Sequence, residues 1–92
     1  MNMVSQKVII KNRKGLHMRP VTQMCQEAAK YESIITFTAG NKTVNAKSLL
    51  NVLSAKVQYG DEIEFVCEGS DEKEALQEMI QIISQGLGVE VE

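Results

Sequence analysis

The sequence predicts an α+β fold: an open-faced two-layer β-sandwich in which a four-stranded antiparallel sheet carries three helices on one face, in the order β-α-β-β-α-β-α. Three observations predict it. Short β-branched or alternating segments recur four times along the chain, at 4–10, around Ile35–Phe37, near Thr43–Val44 and at 61–67. Between and after them, apolar residues fall at helical spacing in three places, two long and one short. The strands are polar on one side, with Thr and Glu, so one sheet face can meet water while the helices cover the other.

Val4–Ile10 has a strand's composition, with Val8 and Ile10 as the inward pair. Residues 11–15, Lys-Asn-Arg-Lys-Gly, break that pattern as a basic, polar loop. Pro20 fits a helix only in its first turn, where the missing N–H costs nothing. The helix therefore starts at about Met18 or Arg19, with His17 as its N-cap and an apolar stripe of Val21, Met24, Cys25, Ala28 and Ala29. Two short strands follow, with Ile35 and Phe37 alternating against Thr36 and Thr38 and a tight turn at Gly40-Asn41. Residues 47–56 form a brief helical segment that Ser48 is placed to cap. After a turn at Tyr59-Gly60-Asp61, Ile63, Phe65 and Cys67 share one face of the fourth strand. Ser70 is the expected N-cap of the last helix, whose stripe is Ala75, Leu76, Met79, Ile80 and Ile83. Gly86 is its expected stop, and Leu87 the hydrophobic contact beside that stop.

Length and composition confine the function. Ninety-two residues make one domain, 1–92, large enough for a modest core. Ten Lys and Arg against twelve Asp and Glu leave a net charge of −2, which gives no general attraction to nucleic acid or an anionic membrane. Aromatics are scarce, two Phe and two Tyr, which also argues against base stacking. No run approaches the ~18 apolar residues of a spanning helix, and no signal-like apolar segment opens the chain, so a cytoplasmic protein is expected. Cys25 and Cys67 lie far apart on core faces and read as buried free thiols. With one histidine and no cysteine cluster, neither a metal site nor a cofactor is expected. Function must lie in a local site.

The chain's only histidine and only proline stand in one stretch, Gly15-Leu16-His17-Met18-Arg19-Pro20. The first N–H groups of a helix lack intrahelical partners, and the macrodipole adds positive character there, so such an end favours phosphate. An imidazole at that end is a nucleophile beside a phosphoryl site, and Arg19 can complete the cradle. Ser, Thr, Asp and Asn are the favoured caps, so a histidine here suggests a purpose other than capping. Ser48, by contrast, has a sufficient reason to exist as a cap. The short helix is over-supplied with large aliphatics: Val52 can face the core, but Leu49, Leu50 and Leu53 cannot all follow it. Such an excess marks a partner surface.

Lys14 to Gln23, followed by Val44 to Ser54, resemble the HPr family, the small phosphocarrier of the bacterial phosphoenolpyruvate-dependent phosphotransferase system. The resemblance runs from the first strand to Gly86-Leu87-Gly88 and implies the same HPr-like sandwich. It implies that His17 is phosphorylated on Nδ1 by enzyme I using phosphoenolpyruvate and passes the group to a histidine of enzyme IIA for sugar uptake. Arg19 would stabilise the phosphoryl group. Ser48 would be the regulatory site in members that have an HPr kinase/phosphorylase, and Leu49, Leu50 and Leu53 the docking patch. The protein would be a monomeric shuttle with no catalysis of its own. The chain departs from the family at Ala55-Lys56, where many members have Leu-Gly, and at Asn51, where Gly is frequent. These departures keep the nitrogen-related branch open. A regulatory module with no phosphate on its histidine is the rival reading; relatives of that kind usually replace the histidine.

Overall fold

The computed structural model describes residues 3–13 and 18–92. The elements in chain order are β1 (Val4–Ile10), α1 (Met18–Ala28), β2 (Ile34–Ala39), β3 (Lys42–Asn45), α2 (Leu49–Leu53), β4 (Glu62–Glu68), α3 (Glu72–Leu87) and β5 (Val89–Val91). The strands form one antiparallel sheet in the order β3-β2-β4-β1-β5.

Alternation builds the core face. Val8 and Ile10 of β1, Ile35 and Phe37 of β2, Val44 of β3, and Ile63, Phe65 and Cys67 of β4 are all buried. Register brings them together: Val8 pairs with Ile63, Ile35 with Cys67, and Phe37 with Phe65. The two phenylalanine rings meet at 5.4 Å between centroids, tilted by 49°, an arrangement that adds about 0.5–1.5 kcal/mol to their burial. Against this face lie Val21, Met24, Cys25 and Ala28 of α1, Val52 of α2, and Ala75, Met79, Ile82 and Ile83 of α3.

The structure adds and moves several features. It has five strands where the sequence accounts for four. After Gly88 (φ +62), Val89–Val91 turns back and pairs with Val8–Ile10. Three residues are too few to carry an alternation signal; only the free edge of β1 makes them a strand. α3 does not stop at Gly86 but continues to Leu87, and Ala29 is exposed because α1 ends one residue earlier. In α3, Ile82 is buried, whereas Leu76 and Ile80 sit half-buried at the margin.

Asp71, not Ser70, occupies the α3 N-cap, and it makes no side-chain cap bond. Its carboxylate is used across the fold: it accepts from the Glu32 and Ser33 N–H groups at 2.9 Å and from the Ser33 hydroxyl. Ser70 donates to the Glu32 carboxylate at 3.1 Å, and Glu72 Oε1 accepts from the Gly69 N–H at 3.1 Å. The α3 entry thus clasps the α1–β2 loop. The Ser33 hydroxyl and the Glu32 N–H hold Asp71 below the usual carboxylate range. A carboxyl group depressed on folding stabilises the fold above its ordinary pKa, about 3.9, and loses that contribution as pH falls through its lower folded value. Asp71→Asn should therefore lower the thermal midpoint by roughly 3–10 °C at pH 7, with the gap to wild type closing below about pH 4. Melting curves from pH 2 to 7 check this; a gap that does not vary with pH would disprove it.

Candidate functional site

His17, with Lys14, Gly15 and Leu16, lies outside the described residues. Its reading as an N-cap and phosphoryl acceptor therefore rests on the sequence. The structure gives the flanks. Upstream, the Arg13 guanidinium lies over the Tyr59 ring, 5.6 Å from its centroid. Downstream, α1 begins at Met18, Arg19 is exposed on its first turn, and Pro20 is buried one residue on. Proline in this first turn surrenders no hydrogen bond, and its fixed φ favours the helix start. Met18, Arg19, Thr22, Gln23 and Gln26 line a shallow depression over the first turns of α1. Met18 is 54% exposed; no sequence signal marks it, because its exposure is known only from the fold.

Ser48 caps α2 as expected, with an extended backbone and Oγ accepting from the Asn51 N–H at 3.3 Å. Asn51 also accepts the Asn45 N–H on Oδ1 at 2.7 Å, which ties the short helix to β3. Lys47 points away from Ser48: its ammonium donates to the Tyr31 carbonyl at 2.7 Å, just past the end of α1. After α2, Lys56 adopts φ +53. A side chain in that region costs roughly 1–2 kcal/mol, which gives a physical reason for the glycine that the resemblance has there.

The aliphatic excess of α2 divides three ways. Val52 is buried, Leu49 and Leu53 are half-buried against the core, and Leu50 is 81% exposed. Leu50 is the one leucine of this helix whose replacement reads surface contacts without touching the core.

Neither thiol competes as a nucleophile. Burial raises the pKa of Cys25, and burial followed by the Glu72 and Asp71 carboxylates pushes Cys67 up to about 11, so both stay protonated at neutral pH. A wider depression around Glu68–Glu74 carries four carboxylates and only Lys73 as a cation, the wrong charge for a phosphoryl group. Among the described residues no group of three or more His, Cys, Asp or Glu could hold a metal ion, and no helix is long and apolar enough to cross a membrane.

Comparison with known proteins bears on the family and the fold. Residues 4–85 match the family model described as the PTS HPr component phosphorylation site. The chain is 35% identical over 83 residues to the HPr-like protein Crh of Bacillus subtilis, covering 90% of this chain and 98% of that one. It is 38% identical over 73 residues to the phosphocarrier protein HPr of Mycoplasma capricolum, covering 79% and 82%. A solved structure of a mycoplasma histidine-containing phosphocarrier protein superposes with a TM-score of 0.88 at 34% identity, covering 90% and 94%.

Proposed function

The chain belongs to the HPr family of phosphocarriers of the phosphotransferase system, and from that premise we propose that His17 is its phosphoryl acceptor, with enzyme I as donor and an enzyme IIA as recipient. The observation that carries this reading is the Gly15-Leu16-His17-Met18-Arg19-Pro20 stretch at the entry to α1, inside the residues matched by the phosphorylation-site family. The neutral imidazole attacks phosphorus through Nδ1; the bond from phosphorus to its donor atom on enzyme I breaks as the new one forms, and the electron pair leaves with that atom. The second step reverses the roles, with His17 as leaving group and the histidine of enzyme IIA as nucleophile. Arg19, exposed on the first turn, balances charge on the phosphoryl oxygens, and the open N–H groups of the helix end add to it. The imidazole acts in its neutral form, in which one ring nitrogen keeps its lone pair. The protein turns nothing over alone: it is a single-domain, monomeric, cytoplasmic carrier that needs no cofactor.

Docking involves α1 and α2. Leu50 and Met18 present apolar surface, and Leu49 and Leu53 support it from below. Leu50→Asp should weaken enzyme I binding about tenfold or more, as expected for a central apolar contact, with a thermal midpoint within about 2 °C of wild type. Titration calorimetry and melting curves together check this; unchanged affinity would remove Leu50 from the interface.

The similarity to Crh favours a second reading, a regulatory module in which Ser48 takes the phosphate from an HPr kinase/phosphorylase. A phosphate at this cap is tolerated by the helix end, and its effect would fall on the docking surface beside it. Intact-protein mass after incubation with phosphoenolpyruvate and enzyme I separates the two readings. One phosphate lost in mild acid supports the carrier. No uptake from enzyme I, with acid-stable phosphate from the kinase, supports the regulator.

A further inference from the structure

We infer that the segment from Gly86 to Val91 is a positioning brace for His17, because it fastens the chain on both sides of residues 14–17. The inference rests on the reading of His17 as the acceptor. On the upstream side, the Lys11 N–H donates to the Gly88 carbonyl at 2.8 Å, and the Lys11 ammonium meets Glu90 at 3.3 Å. Ile10 pairs in register with Val89, while its own N–H and carbonyl are held by Asp61 and Gly60 at 2.9 and 2.8 Å. The chain entering the loop is therefore gripped between β5 and the β4 approach.

On the downstream side the grip is steric. Gly86 lies in the last turns of α3 against Pro20, and a Cβ at residue 86 would stand 2.6 Å from Pro20 Cβ and 3.3 Å from its Cγ. Pro20 is buried, and its ring has no torsion through which to yield. The missing side chain of Gly86 thus sets how closely the end of α3 approaches the start of α1. Lys11 and Pro20 are thus both met by one short run of chain, held at one end by helix burial and at the other by sheet pairing.

β5, Val89–Val91, lies beyond both the residues that the family model matches, 4–85, and the resemblance, which ends at Gly88. Phosphoryl transfer needs the nitrogen, the phosphorus and the guanidinium aligned, and a misplacement of about 1 Å costs on the order of a hundredfold in rate. Gly86 and the β5 residues touch none of the reacting atoms; they act through the anchors of the loop.

The experiment is steady-state phosphoryl acceptance from phosphorylated enzyme I by the full chain, at least about 20 °C below each variant's thermal midpoint, where a cooperative domain is essentially folded. Gly86→Ala and Glu90→Pro should each lower kcat by about tenfold and leave KM within about twofold. Glu90→Gln, which keeps the strand N–H and removes only the charge, should keep at least about half of wild-type kcat. Wild-type kcat in both main variants would overturn the inference. So would a rise in KM without a fall in kcat, which would make the segment a docking element. If Gly86→Ala fails to fold, Glu90→Pro decides alone, because β5 is an edge strand. Absence of phosphate on wild-type protein would overturn the reading of His17 and the brace with it; phosphorylated wild type beside unimpaired variants overturns the brace only.

Discussion

His17→Ala should take up no phosphate from phosphoenolpyruvate and enzyme I, while its thermal midpoint stays within about 3 °C of wild type, as expected when a poor cap is lost. The loss is complete because nothing replaces the nucleophile. The chain has no second histidine, and its two thiols are buried and protonated. Serine and threonine hydroxyls lack a base to activate them and would form acid-stable esters. The readout is intact mass before and after mild acid. An acid-labile phosphate on the alanine variant would reject His17 as the acceptor. Arg19→Ala, which keeps the imidazole, should still be phosphorylated but more slowly, so the pair separates nucleophile from charge stabiliser.

The largest structural effect should come from Gly69→Ala, at the junction of β4 and α3. Gly69 has φ +154, and a Cβ there would stand 2.7 Å from both Ser33 Cα and Ser33 Oγ. Ser33 cannot withdraw: it is fully buried, and its N–H and hydroxyl are both held by Asp71. The methyl group meets backbone, and the backbone angle is one that L-residues avoid. Together these should cost about 3–5 kcal/mol, a fall in thermal midpoint of roughly 12–40 °C. Circular dichroism melts measure it directly; a shift under about 3 °C would mean the loop carrying Ser33 moves freely, contrary to its hydrogen bonds. The variant should still accept phosphate at low temperature, since this junction lies outside the elements that flank His17.

Local signals made most of the fold legible. Ile63, Phe65 and Cys67 alternate, so β4 and its inward face follow from period two. Pro20 dates the start of α1, and Val21, Met24, Cys25 and Ala28 give its buried side. Long-range contacts hid the rest. Gly86 looks like a helix stop, because a glycine after an apolar stripe usually is one; its closeness to Pro20 exists only in the folded chain. Ser70 has the chemistry of a cap, yet Asp71 takes the position and spends its carboxylate on Ser33, 38 residues away. The leucines of α2 betray an excess but not its division, since five residues are too short for a moment to define a face. For the candidate site, motif and spacing single out His17 and Arg19, and Ser48 as a cap. The anchors around them were not, because Lys11 with Gly88 and Arg13 with Tyr59 meet across distant segments.

The fifth strand has a consequence for how copies of this protein behave in a crowded solution. Without it, β1 would present seven residues of unpaired backbone, rich in Val and Ile, at the rim of the sheet. Such a rim is a template for another chain, and the usual outcome is aggregation. β5 covers Val8–Ile10, and Glu92 and Gln6 occupy the groups around Lys7. The rim on that side is now divided between β5, which carries Glu90, and the Val4–Gln6 end of β1; the opposite rim, β3, is four residues long and carries Lys42. Each border thus offers only short stretches of open edge beside a charged side chain, which favours colloidal stability at high protein concentration.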